Sequence, residues 1–228
     1  MSETLAVVMG WFAFGGSHLI LSHGVVREWL RARLGAHGFS GIYSLIAIPA
    51  FYFLVMSYFP HRHAGPSLWD LRVWAPALRF VEILMLLSFS LMVGSFFTPS
   101  PLAMDPRGRY EPRGLLRITR HPFTMGSALL GVSHCIPNGH GSDLAFFGGL
   151  AAFSLAGAFH QDARKRREAG PERQAFFAQT SILPFAAILG GRQSLRLGEM
   201  PWLAGAVGIA GALVIRWYHA RWFGIPVA

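Results

Sequence analysis

Six stretches of this chain each hold about 16 to 21 mostly apolar residues in succession, and few folds accommodate that pattern. They run over Leu5–Ser22, Gly41–Phe59, Ala77–Phe97, Pro122–Pro137, Leu144–His160 and Pro201–Trp217. Roughly 20 residues at about 1.5 Å rise each cross the hydrocarbon core of a bilayer. Lipid offers the backbone no hydrogen bonds, so each crossing must be a helix that satisfies itself. The fourth and fifth stretches are joined by a turn-like Asn138-Gly139-His140-Gly141. A seventh apolar segment, Thr180–Gly191, is only about a dozen residues long and is interrupted by Pro184, too short to cross. The expectation is an all-α polytopic membrane helix bundle of about six transmembrane helices plus a short interfacial or re-entrant segment. It forms a single domain over residues 1–228, with no internal repeat and no low-complexity tract.

Charge supports the same solvent. Only 14% of residues are charged, against about 25% in soluble domains. A net charge of +9 raises nucleic acid as a partner, but no soluble segment combines a basic patch with stacking aromatics, so the expected partner is the lipid bilayer. Alternate gaps between the stretches hold Arg27, Arg31 and Arg33; Arg107, Arg109, Arg113, Arg117 and Arg120; and Arg164, Lys165, Arg166, Arg167, Arg173, Arg192 and Arg196. The opposing gaps hold Arg62, Arg72, Arg79, Arg216 and Arg221. Fifteen against five puts the first set in the cytoplasm and both termini in the periplasm. The opening MSET has no basic residue, so the first stretch reads as a retained span rather than a cleaved signal, in a bacterial plasma membrane. The lone Cys135 excludes an intramolecular disulfide framework and a cysteine zinc site.

Two of the ten histidines lie well inside apolar stretches, where an ionisable group is costly and points to function. His18 shares a helical face with Trp11, Gly15 and Ser22; His134 shares one with Ser127, Gly131 and Asn138. In each case a glycine one turn earlier lowers the helix surface, so that a flat ligand or a neighbouring helix can approach. Two neutral imidazoles on facing helices suit the axial positions of a haem iron. Each histidine taken alone reads equally as a hydrogen-bonding group at a helix interface. No carboxylate or thiolate cluster accompanies them, which disfavours zinc at that pair. His18 lies near the cytoplasmic end of its stretch and His134 past the middle of its own, so a common depth is not assured. His160 is the substitute partner.

Arg120-His121-Pro122 opens the fourth stretch as a helix start, with proline in the first turn and arginine at the interface. Asp162 and Arg164, just past His160, form the other wall of the same mouth, with Asp162 pairing to Arg120 or Arg164. With a haem present, these arginines are candidates for its propionates.

The runs GGSHLILSHGVVREWLRARLG and GIYSLIA, then RITRHPFTMGSALLGVSHCIPNG and the Asp162-Ala163-Arg164 element, resemble the NnrU family of bacterial membrane proteins over nearly the whole chain. That family includes the plant and cyanobacterial zeta-carotene isomerase, a haem b protein. The resemblance implies haem b held by His18 and His134 as metal ligands, with His121, Arg120, Asn138, Asp162 and Arg164 around the cofactor. It implies a redox-gated isomerase-like enzyme acting on an apolar, carotenoid-like substrate. Two other readings stand beside it. One is a non-enzymatic haem protein or denitrification-related factor with a gaseous ligand such as nitric oxide. The other is an isoprenylcysteine-type membrane methyltransferase, which shares an Arg-His-Pro start, although the following loop lacks that class's acidic pair.

Overall fold

The computed structural model describes residues 2–102, 110–167 and 170–224. Arg107 and Arg109, assigned above to the cytoplasmic side, lie outside the described residues. Helix α1 (Glu3–Ser22) starts on Ser2, whose hydroxyl accepts from the Leu5 amide at 3.3 Å; Glu3 adds negative charge at the positive end of the dipole. A π-helical stretch, Phe12–Gly16, interrupts α1. Helix α2 (Gly24–Tyr58) begins much earlier than the predicted second span, because the basic gap Arg27–Arg33 is itself helical. The run breaks at Gly35, whose φ of 69° only glycine adopts without strain.

Helices α3 (Ala75–Phe97), α4 (Pro122–Cys135), α5 (Gly141–Arg167), α6 (Pro171–Gln179) and α7 (Trp202–Phe223) follow. Helix α5 carries a second π stretch, Leu144–Gly148. Among the described residues five helices, α1, α2, α3, α5 and α7, are long and apolar enough to cross a membrane, so the chain is an all-α polytopic bundle. The fourth of the six anticipated spans, α4, has 14 residues, about 21 Å, short of the roughly 30 Å core. Its ends are satisfied by the rest of the protein rather than by length. The Trp69 indole donates to the Cys135 and Ile136 carbonyls at 3.3 and 3.0 Å, and the Asn138 amide donates to the His134 carbonyl at 2.9 Å. At the other end the Arg120 amide donates to the Ser181 carbonyl at 2.9 Å. Such partners take up carbonyls that the last turn of a helix leaves free.

The turn-like Asn138–Gly141 is instead mostly extended. Strand β1 (Ser67–Asp70) pairs antiparallel with β2 (Asn138–His140), Ser67 opposite His140 and Asp70 opposite Asn138. The Thr180–Gly191 segment does not cross, as its length requires. It contains one turn, Ala186–Leu189, and folds under the start of α4 through the Phe185 amide, which donates to the Ile118 carbonyl at 2.9 Å.

The main contacts link the helices in the order α2, α1, α5, α4, α3, α7, so α5 stands between α1 and α4. A row of this kind leaves wide apolar faces open: Leu45, Leu203 and Trp217 are 73%, 78% and 82% exposed. Those faces suit lipid. The tight seams are built on glycine, as membrane helix packing favours. A Cβ on Gly131 would lie 2.5 Å from the Phe147 carbonyl oxygen and 2.9 Å from the Ala151 amide nitrogen, both backbone atoms of α5. Gly131→Ala is therefore expected to cost about 1–3 kcal/mol by forcing α4 off α5. Gly157→Ala, with nothing within 4 Å, is expected to be neutral or to stabilise by up to about 1 kcal/mol. Thermal unfolding of the two variants in detergent checks the pair; equal midpoints would remove close α4–α5 contact as the reason for Gly131.

Candidate functional site

Apart from Asn138, on β2 just before α5, the polar side chains that the sequence singles out lie on α5, on a helix packed against it, or at the end where α5 finishes. On α1, the His18 Nδ1 is 3.1 Å from the Phe14 carbonyl. On α4, the His134 Nδ1 is 2.9 Å from the Leu130 carbonyl. A carbonyl only accepts, so each Nδ1 carries the proton and each Nε2 keeps its lone pair. The same device, a bond to the carbonyl one turn back, fixes tautomer and ring orientation at both positions. Such a partner to the non-ligating nitrogen is the usual support of a metal-binding histidine.

Aromatic rings wall both imidazoles. His18 has Phe14 at 4.4 Å, Tyr43 of α2 edge-on at 4.9 Å and Phe153 of α5 edge-on at 5.6 Å between centroids. His134 stacks on Phe147 of α5 at 4.2 Å. Phe147 and Phe153 are six residues apart, about 9 Å along the helix. The two histidines therefore flank one helix at different heights and do not touch. The glycines beside them serve the helix seams rather than an open surface: a Cβ on Gly15 would meet Phe153 at 3.2 Å, and Gly131 meets the α5 backbone. The π stretch of α5 meets α1 just ahead of α1's own π stretch. The Trp11 indole on α1 donates to the Phe146 carbonyl, in the π turn of α5, at 3.1 Å. Such bulges gather at functional sites. They leave no signal in residue pattern, which is why sequence reasoning missed them.

Arg120, His121 and Asp162 do come together, in a buried clamp. The Arg120 Nε donates to one Asp162 oxygen at 2.7 Å, His121 Nε2 lies 2.7 Å from the other, and Arg120 Nη1 donates to the Thr180 carbonyl at 2.7 Å. The three side chains are 6%, 1% and 5% exposed. Phe177 lies under the guanidinium at 5.2 Å. Burial pulls the Arg120 guanidinium below its ordinary value, and Asp162 opposes that shift. Asp162 has thus taken Arg120 of the two partners anticipated. The Arg164 Nε is buried without a hydrogen-bond partner among the described residues, as is His160 Nε2, and the His160 ring stands 6.2 Å from that of His23. Asn138 closes α4 below His134, as described, and reaches none of these groups.

The residues of this arrangement fall within a recognised family: the family model described as NnrU protein matches residues 6–227. The chain belongs to the NnrU family. Among curated relatives, NnrU membership is accompanied by likeness to the chloroplastic 15-cis-zeta-carotene isomerase of Arabidopsis thaliana, 28% identical over 164 residues. That match takes in 71% of this chain and 45% of the relative. The protein of the same name from Zea mays is 27% identical over 172 residues, 75% of this chain and 47% of the relative. The chain thus spans about half the length of the curated relatives it matches. No solved structure matches it.

Proposed function

We propose that this NnrU protein is a membrane haem b protein that isomerises a carotenoid-like polyene within the bilayer, with His18 and His134 as the ligands of the iron. The observation that carries the reading is the matched pair of imidazoles, each with Nδ1 tied to the preceding turn and Nε2 free. Each imidazole by itself is a ligand that haem iron accepts. Because α5 stands between the two at different heights, both would reach one iron only with a shift of α1 or α4 along α5. Named similarity to two 15-cis-zeta-carotene isomerases supports the substrate class. When bound, the haem supplies an iron that acts as Lewis acid or one-electron partner toward a double bond.

The chain's own residues do the rest. Phe14, Tyr43, Phe147 and Phe153 offer flat apolar walls that exclude water and suit both a macrocycle and a polyene. Arg164, with its buried free Nε, is the residue suited to a carboxylate at the basic end. The Arg120–His121–Asp162 clamp, already saturated, holds the start of α4 and so the height of His134. A Soret band that shifts on reduction of the detergent-purified protein is the expected result. Conversion of 15-cis-zeta-carotene in cells making that pigment separates an isomerase from a non-enzymatic haem protein. A colourless protein from haem-sufficient cells overturns both. Loss of the band in His160→Ala, with full retention in His134→Ala, would overturn the ligand assignment.

A further inference from the structure

At the end of the bundle away from Asp162 lies a second group of ionisable side chains, joined by no hydrogen bond to His18 or His134 among the described residues. Asp143, in the first turn of α5, is fully buried. Its Oδ1 accepts from the Tyr58 hydroxyl at 2.8 Å and from the His63 amide at 3.3 Å. Its Oδ2 is left to two histidines, His63 Nδ1 at 2.8 Å and His140 Nδ1 at 3.7 Å. The latter distance is too long for a hydrogen bond.

We propose that His63, His140 and Asp143 form a binding site for one divalent transition-metal ion of the zinc class. One donor atom from each residue lies within 4.8 Å of the others. Two imidazole nitrogens and one carboxylate oxygen are the ligand set zinc accepts, with room for water in a fourth position. Three further observations support an ion here rather than a hydrogen-bonded triad. First, His140 Nδ1 and His63 Nε2 are shielded from solvent and have no hydrogen-bond partner among the described residues. Buried polar atoms are almost always paired, so two orphans in one cluster call for a missing partner. Second, the buried carboxylate has no arginine or lysine bound to it among the described residues. Arg72, whose charge reaches it, is held by Asp70 through Nε at 2.9 Å and Nη2 at 2.5 Å. The partners left to its charge are the imidazoles themselves, with His63 Nδ1 at ion-pair distance, and a divalent ion held by all three residues neutralises the carboxylate.

Third, the donors are held in place by bonds that do not involve them. The Ala64 amide donates to the Ser142 hydroxyl at 3.0 Å, and the Ser142 amide donates to the Ala64 carbonyl at 3.1 Å. These staples pin the loop after α2 to the first turn of α5. His63, next to Ala64, sits at φ 57°, a left-handed backbone uncommon outside glycine. His140 arrives on β2, paired with Ser67. Three separate elements thus converge on one point, and Tyr58 orients the carboxylate from behind, as outer groups do in metal sites.

The test uses full-length protein in detergent, stripped with a chelator and titrated with zinc chloride against a chromophoric competitor. The expected result is one zinc per chain at micromolar affinity or tighter, weakened at least tenfold in His140→Ala and in His63→Ala. Cobalt in place of zinc reads the ligands directly: intense ligand-field bands in the wild type, absent in His140→Ala. Both substitutions sit at the edge of the cluster and leave the Tyr58–Asp143 bond, so helical content measured without zinc shows that the fold is intact. No saturable binding, or binding unchanged in both variants, overturns the proposal. So does binding lost only in His18→Ala, which would place the ion elsewhere. None of these outcomes depends on whether haem is bound.

Discussion

Asp162→Asn is expected to destabilise the protein by about 3–5 kcal/mol, the usual cost of removing one partner from a buried charge pair. The mutation leaves the Arg120 guanidinium 6% exposed and opposite a neutral amide, with one oxygen where Arg120 and His121 each had their own. For a chain of this length, each 1 kcal/mol moves the unfolding midpoint by roughly 2–4 °C, so a drop of about 10 °C is the readout in detergent. The loss arises from an uncompensated charge rather than from a missing attraction. Replacing Arg120, His121 and Asp162 together by apolar residues of similar volume should therefore recover much of the stability. A single-mutant shift within about 0.5 kcal/mol, the range of ordinary surface changes, would mean the clamp is open to water. Because the Arg120 amide and side chain also grip Ser181 and Thr180, the Thr180–Gly191 segment should loosen first, detectable as faster amide exchange there.

His18→Ala and His134→Ala are expected to have the largest effect on function. Changes to groups that merely support a ligand cost about 10–100-fold in metal affinity, and removing the ligand itself should exceed that. Haem content and isomerisation should fall together in either variant, while helical content stays unchanged. Free imidazole added to His134→Ala should restore part of the Soret band, because the alanine leaves a slot against Phe147 that an imidazole fits. Restoration separates a lost ligand from a damaged fold. If both variants keep a wild-type spectrum and full conversion, these histidines are helix-packing groups and the proposed cofactor site is wrong.

The membrane spans were legible from local pattern alone because lipid imposes a length and a self-satisfied backbone, both properties of consecutive residues. The Pro122 start of α4 and the non-crossing Thr180–Gly191 segment were legible for the same reason. The basic gap after α1 was misread as a loop: high charge there marks contact with headgroups or water, which a helix tolerates as well as a loop does. The length of α4 was overestimated because its ends are satisfied by Trp69, Asn138 and Ser181, and two of those partners come from elsewhere in the chain.

The candidate site divides in the same way. Helical periodicity placed His18 with Gly15, and His134 with Gly131, on common faces. It could not say what lies against those faces, and the answer is α5, more than a hundred residues from Gly15 but only 16 from Gly131. Pairing Asp162 with Arg120 rather than with Arg164, two residues away, needed the Arg120 segment folded over the end of α5. The convergence of His63, His140 and Asp143 depends on a loop, a strand and a helix start that meet only in three dimensions. The apolar stretches between charged gaps, from which the membrane bundle was read, follow from the solvent each residue must face, and the sequence by itself determined them. Which faces meet is set by side-chain shape and backbone approach between distant helices. Neither leaves a period in the chain, and only the tertiary structure decided them.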